Sequence, residues 1–302
     1  MPLRFHPVPA LREGSHVRVV APASPFPRAD FERGLERLRA RYRVTHRDDL
    51  FERTSFLAGS DARRLAELEE ALLDPSVDAI VAARGGYGTT RLLARLDPAK
   101  VRAAEKLLVG FSDLTALHAL WARAGLRSIH GPMVCALGRA EPAHVARWID
   151  AVEGRSPLGA VAPLVPIAPG TCEGPLAGGN LAVLAALAGT PYAPPLEGAI
   201  LFLEDVGEAP YRIDRMLTTL RDAGWLARVA GVVLGTFTGC DPRADGCTVE
   251  DVLADRLGDL GIPVARGVAS GHVDDNLELP LGARARLDAA AGTLELLERA
   301  VV

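Results

Sequence analysis

The first half of the chain alternates short apolar runs with amphipathic stretches. Val17 to Pro22 (VRVVAP) is apolar and ends in a Pro/Ser loop. Phe31, Leu35, Leu38 and Tyr42 follow at helical spacing, so one face of a helix is apolar there. Arg43 to His46 is a short strand candidate. Ser60 stands where a cap is needed for a helix with Leu65, Leu68 and Leu72 inward. Asp78 to Ala83 (DAIVAA) and Leu107 to Phe111 read as buried strands. The second of these leads into a helix carrying Leu114, Leu117, Leu120 and Trp121, and Arg127 to His130 is a fifth strand candidate. Strands alternating with helices predict a parallel sheet covered on both faces.

The pattern then changes. Residues 156–170 (SPLGAVAPLVPIAPG) hold four prolines and two glycines, which excludes a regular helix. We expect a linker there, with one domain over residues 1–155 and another over 171–302. The second half is less regular. Gly178-Gly179-Asn180 precedes a short Ala/Leu helix, and Ala199 to Leu203 is a strand ending at Glu204-Asp205. Ile213, Met216, Leu217 and Leu220 mark a helix, Gly231 to Gly235 a strand, and Thr248 to Leu257 another helix. From Arg284 the chain alternates around Ala-Gly as a β-hairpin would. This mixture predicts an α+β or barrel-like second domain.

Composition narrows the function classes. The chain has 302 residues, 49% hydrophobic and 24% charged, with a net charge of -4, so it is a globular chain with no basic face for nucleic acid. Only Lys100 and Lys106 among its 34 basic residues are lysines, and the arginines are interleaved with acids. No apolar run is long enough to span a bilayer, and Met1 to Arg12 has no signal-peptide core. We therefore expect a soluble cytoplasmic protein with no membrane or nucleic-acid partner. Cys135, Cys172, Cys240 and Cys247 form no Cys-x-x-Cys pair, so unligated thiols are expected rather than a metal site.

Two strand ends carry candidate chemistry, because sites in parallel sheets form beyond the carboxyl ends of the strands. Gly110-Phe111-Ser112-Asp113-Leu114 puts a serine on a tight turn between strand and helix, where its hydroxyl can be exposed. Leu114 occupies the place of the second glycine of a nucleophile elbow, and a helix-capping serine is the competing reading. Arg84-Gly85-Gly86-Tyr87-Gly88 is a glycine loop suited to a phosphate cradle, an oxyanion hole or a plain turn. A serine nucleophile needs a base. His130, at a strand end, and His272, in a Gly-flanked polar loop, are the candidates, and spacing does not choose between them. His118 lies between core positions, and His46 and His144 look like surface residues. Glu204 and Asp205 end an apolar strand, where a carboxylate is costly unless hydrogen-bonded.

In combination, VRVVAPASP, RGGYGTTRLL, LLVGFSDLTALH, HGPM, GPLAGGNL, LFLEDVGEAPYRIDRML and GHVDDNLELPLGARARL resemble the LD-carboxypeptidases. That serine peptidase family also contains the microcin C self-immunity peptidases. The resemblance runs in order along nearly the whole chain. It implies a flavodoxin-like or amidotransferase-like parallel-sheet domain followed by a barrel-like domain, with the active site between them in a homodimer. It implies Ser112 as nucleophile, Glu204 as acid and His272 as base, with amides of Gly86 and Asp113 as oxyanion hole. His130 becomes a wall residue, and Asn180 a candidate substrate contact. The implied reaction is hydrolysis of the L,D bond that releases D-alanine from murein tetrapeptide in cell-wall recycling, with no cofactor or metal. A microcin-immunity type of enzyme, cleaving peptide- or aminoacyl-nucleotide conjugates, would call for extra aromatic residues to stack on the base. The third alternative is a non-catalytic small-ligand-binding protein of the same outline.

Overall fold

A computed structural model describes residues 3–156, 158–242 and 246–302. The first sheet uses β1 (His16–Val20), β2 (Arg43–Thr45), β3 (Ala79–Ala82), β4 (Leu107–Gly110) and β5 (Ser128–His130), which pair in parallel in the order β2-β1-β3-β4-β5. That order is the flavodoxin-like one, and it places ligands beyond the carboxyl ends of the strands. Every residue of β3 and β4 is buried, as expected of strands covered on both faces. Helices α1 (Arg28–Arg39) and α2 (Asp61–Leu73) bury the residues that the spacing predicts, and Ser60 Oγ caps α2 by accepting from the Arg63 amide at 3.2 Å. The short α3 (Pro98–Ala104) precedes β4, α4 (Thr115–Arg123) follows it, and the short α5 (Val134–Leu137) and α6 (Pro142–Val152) follow β5.

The second sheet is formed by β6 (Gly159–Val161), β7 (Val165–Ala168), β8 (Thr171–Asn180), β9 (Ile200–Val206), β10 (Gly231–Thr238) and β11 (Val264–Arg266), with β13 (Arg284–Asp288) and β14 (Thr293–Leu296). Its order is β6-β14-β13-β8-β9-β10-β11-β7. The helices of this half are α7 (Leu181–Leu187), α8 (Pro210–Asp222) and α9 (Val249–Leu257), the last with a capping box between Thr248 and Asp251. Along β9, Ile200 and Phe202 enter one core while Leu201 and Leu203 enter another. A curled sheet whose two faces are both buried does this, and the resulting continuous apolar run hides the strand period of two.

Three features depart from the sequence reading. The Pro-rich segment 156–170 is not bare linker, because it supplies β6 and β7 (its residue 157 lies outside the described residues). Prolines fit there because both are edge strands. The expected barrel-like second domain is an open eight-stranded sheet, since no pairing joins β6 to β7 among the described residues. The two edges are nonetheless consecutive in the chain, so the sheet curls until a short link can join them. Finally, β12 (Leu279–Leu281) leaves the second half and pairs antiparallel with β5, Leu279 opposite His130. The first sheet is therefore completed by residues that lie just beyond the His272 loop.

Candidate active site

The nucleophile candidate sits where the parallel sheet ends. After β4, Phe111 is extended and Ser112 takes φ 63°, a left-handed conformation that is uncommon for a residue with a Cβ. A single turn, Ser112–Leu114, then feeds α4. The turn is clamped through its next residue. Asp113 accepts the Thr89 amide on Oδ2 at 2.9 Å, and the Thr89 hydroxyl donates to the Asp113 carbonyl at 2.5 Å. Burial pushes the Asp113 carboxyl above its usual range. The clamp fixes the turn against the glycine loop.

That loop approaches the serine closely. A Cβ placed on Gly85 would stand 3.0 Å from Ser112 Cβ and 3.2 Å from its Oγ, so only glycine lets the two backbones meet there without displacement. Ser24 braces the loop from the other side, donating its amide to the Gly85 carbonyl and accepting the Tyr87 amide on Oγ. Among the described residues, neither the Gly86 nor the Asp113 amide finds a backbone acceptor outside its own helix or strand. These are the two amides that the family resemblance implies as an oxyanion hole.

Of the two histidines that spacing left open, His272 is the one brought to Ser112. His272 Nε2 lies 3.0 Å from Ser112 Oγ, and Nδ1 lies 2.8 Å from Glu204 Oε2. With a carboxylate at Glu204, Nδ1–H donates to it and Nε2 is left to accept the serine hydroxyl. Glu204 is 0% exposed, at the end of the all-apolar stretch of β9. Gly271 has φ 127°, and a Cβ there would be 2.8 Å from Glu204 Oε2, so glycine is required for the acid to reach the ring. The Phe111 ring packs edge-on to His272, with centroids 5.0 Å apart.

The loop that carries His272 is held from inside and outside. Asn276 Oδ1 accepts the Gly271 amide at 2.9 Å, and Ser270 Oγ donates to the Leu277 carbonyl at 2.9 Å. Arg147, on α6, donates to Glu278 Oε2 at 2.7 Å, to Asp275 Oδ1 at 2.5 Å and to the Asn276 carbonyl at 3.2 Å. No local sequence signal points to Arg147, because its partners lie at the far end of the chain.

Two sequence candidates do not reach the cleft. His130 is completely buried against Phe111, Phe202 and His118, and neither ring nitrogen has a partner among the described residues. Burial, His118 and His272 together hold its pKa well below the usual histidine value. It is a neutral packing residue under the nucleophile turn and not a cleft wall. Asn180 is a helix cap: its Oδ1 accepts the Val183 amide and its Nδ2 donates to Asp205 Oδ1 at 3.0 Å. Its side chain is thereby occupied in joining β8 to β9, and it is not among the residues that line the cleft. His118 packs as expected, between the Gly110 carbonyl and Ser128 Oγ, and burial lowers its pKa to about 4.

Ser112, His272, Gly85, Gly86 and Phe111 line a cleft of about 500 Å³ that opens between the two sheets. Among the described residues, no group of three or more His, Cys, Asp or Glu side chains is arranged to hold a metal ion. A hydroxyl backed by an imidazole and a buried carboxylate, beside a glycine loop at a strand end, can carry out acyl transfer.

Residues 17–131 match the LD-carboxypeptidase N-terminal domain family, and residues 173–287 match the LD-carboxypeptidase C-terminal domain family. The chain belongs to the LD-carboxypeptidase family. A Streptomyces coelicolor relative is 44% identical over 95% of this chain and 94% of its own length. The murein tetrapeptide carboxypeptidase of Pseudomonas aeruginosa is 33% identical, covering 90% of this LD-carboxypeptidase chain and 92% of that one. The crystal structure of muramoyltetrapeptide carboxypeptidase from Oxalobacter formigenes superposes with TM-score 0.84 at 34% identity, over 93% of this chain and 98% of that one. The microcin C7 self-immunity protein MccF shares the fold, with TM-score 0.87 at 22% identity over 98% and 100% of the two chains.

Proposed function

We propose that this LD-carboxypeptidase hydrolyses the L,D peptide bond that holds the terminal D-alanine of murein tetrapeptide, with Ser112 as nucleophile, His272 as base and Glu204 as acid. The observation that carries the reading is the continuous hydrogen-bonded series Ser112 Oγ, His272, Glu204 in the cleft. The two relatives named for murein or muramoyl tetrapeptide, each at least 33% identical over most of the chain, support the substrate class.

The steps follow from the atoms. Ser112 Oγ attacks the scissile carbonyl carbon while His272 Nε2 takes its proton, a transfer worth about 10²- to 10⁴-fold in rate. The carbonyl oxygen becomes anionic and accepts from the Gly86 and Asp113 amides, each such donor contributing about 10²- to 10³-fold. The imidazolium, stabilised by Glu204, protonates the amine of D-alanine as the C–N bond breaks. The tripeptide is left as an ester on Ser112. Water then attacks that ester, His272 takes and returns the proton, and tripeptide and free serine result. The scheme uses no cofactor and no metal.

A nucleotide-conjugate substrate is less well supported. Trp121, Trp148 and Trp225 are all buried, and among the described residues Phe111 is the only ring of a Phe, Tyr or Trp on the cleft wall. Stacking on a base would need more than that. On this reading the enzyme acts in the cytoplasm as a homodimer, and its two halves, residues 1–155 and 171–302, are domains that complete one site. Among the described residues no helix is long and apolar enough to cross a membrane. The deciding experiment is mass spectrometry of purified murein tetrapeptide after incubation with the enzyme. Loss of one alanine is expected. An unchanged tetrapeptide beside a cleaved aminoacyl-nucleotide would overturn the substrate assignment.

A further inference from the structure

The cleft around Ser112 has a one-sided charge. Among the described residues its wall includes two guanidinium groups, Arg84 and Arg139, and no Asp or Glu. The two arginines are not equivalent. Arg139 is already neutralised, with Nη1 2.6 Å from Asp30 Oδ2. Arg84 donates Nη1 to the Pro25 carbonyl at 2.8 Å, and it has no carboxylate partner among the described residues. One edge of its guanidinium is therefore anchored, while the remaining donors of the planar fork are left for something else. An exposed arginine needs no partner. This one, however, is held in place by a neutral carbonyl at the wall of the nucleophile's cleft.

Its position in the chain says what it would meet. Arg84 directly precedes Gly85, the residue whose missing Cβ lets the loop touch Ser112. Arg84, Gly85 and Gly86 line the cleft together with Ser112, so a peptide whose scissile carbonyl lies between Ser112 Oγ and the Gly86 amide passes along this loop within reach of Arg84. In a carboxypeptidase that residue ends in a carboxylate, separated from the scissile nitrogen by a single Cα, about 4 Å along the chain. An arginine side chain spans that distance easily.

We infer that Arg84 receives the terminal carboxylate of the leaving amino acid and so makes the enzyme an exopeptidase. The inference rests on the reading of this cleft as the carboxypeptidase active site. The fork matches a carboxylate with two parallel N–H···O bonds. A carboxamide, or a further residue in place of the free acid, would put a neutral group against the cation and lose the charge-assisted bonds. Arg84 is then a specificity-determining residue as well as a neighbour of the oxyanion amides.

The test is kcat/KM for murein tetrapeptide and for its C-terminal carboxamide, with wild type, Arg84→Gln, Arg84→Lys and Arg139→Gln. The wild type is expected to prefer the free acid by about 100-fold, the scale of a charged hydrogen-bond pair. Arg84→Gln should lose most of that factor on the acid and little on the amide, so that the preference collapses. Arg84→Lys, which keeps the charge without the fork, should fall between, and Arg139→Gln should keep the wild-type preference. If Arg84→Gln turns over the tetrapeptide with the wild-type acid-to-amide ratio, the inference is wrong while the enzyme assignment stands. If wild type releases no alanine from the tetrapeptide, the assignment fails, and the inference fails with it.

Discussion

Ser112 is placed largely by residues that flank it, whereas His272 is placed by side chains remote in sequence. On the nucleophile side the determinants are mostly local, a buried strand, a left-handed residue and a one-turn helix start within Leu107–Leu114, with one clamp from Thr89 to Asp113. On the acid–base side they are a strand end at Glu204, a glycine at 271, an internal cap by Asn276 and a clamp from Arg147 on α6. The first arrangement stores strain locally, about 1 kcal/mol for a left-handed residue with a Cβ. The second stores nothing at His272 itself and depends on distant hydrogen bonds. The difference shows which half of an active site can be read from a short window.

The largest expected effect falls on the nucleophile. Ser112→Ala should lower kcat by about 10⁴- to 10⁶-fold with the fold retained, as steady-state kinetics and thermal melting would show. Ser112→Gly should be equally inactive but more stable than Ser112→Ala by about 1 kcal/mol, because glycine pays no penalty at φ 63°. If the glycine variant melts no higher than the alanine variant, the turn is not strained and the contrast between the two sides disappears.

Glu204→Gln tests the other side at its centre. The amide can still accept from His272 Nδ1, but it cannot stabilise an imidazolium. We expect kcat to fall by about 10³- to 10⁴-fold with little change in KM. A loss under tenfold would mean that another group orients the ring.

Arg147→Ala should act on the same side through the loop alone. It removes three donors to the 275–278 segment and leaves the buried Glu278 without its cation. Burial already raises the Glu278 carboxyl above its usual range, with Arg147 opposing the rise. We expect a stability loss of about 3 kcal/mol and a 10- to 100-fold fall in kcat, since a misplacement of about 1 Å costs that much. Arg147→Lys should recover part of the kcat. A stability loss with unchanged kcat would show that the clamp holds the fold and not the base.

The same contrast explains what was legible. The parallel sheet, the cap at Ser60 and the hairpin at β13–β14 follow from period and cap chemistry, which are local. The serine turn was visible as a strand running into a helix, although its φ was not. His272 could not be told from His130 by spacing, because the choice is made when β9 and the 270–278 loop are brought onto one face. Only the resemblance to a family carried that information. β6 and β7 escape the sequence because proline-rich edge strands read as linker, and β12 because it pairs with β5, a strand of the other half, outside any local pattern. Arg147 was invisible for the reason that makes it interesting: its partners are far away in sequence.

The smallest effect on activity should come from the aspartates that follow Ser112 and Glu204. Asp205 accepts from Asn180 Nδ2, the Val206 amide and the Ala182 amide. Burial first, then the nearby Glu204, raises its pKa from 3.8 to about 6. The native state therefore binds a proton that the unfolded state has released between about pH 4 and pH 6. Stability contributed by this group is present at pH 4 and is lost as pH rises through 6, about 3 kcal/mol in all. Asp205→Asn removes that titration. The stability of wild type relative to this variant should fall between pH 4 and pH 7 by that amount, measured by denaturant unfolding at each pH. Activity at pH 7 should change by less than about tenfold, since asparagine still offers one acceptor. Parallel stability curves would sink the idea of a titrating carboxyl beside the acid. Asp113, raised by burial and held by Thr89, is the counterpart beside the nucleophile. Asp113→Asn should show a pH dependence of the same sign. If it does, the two sides of the cleft, so different in how they are built, share one device: a buried carboxyl that locks the backbone next to the residue doing the chemistry.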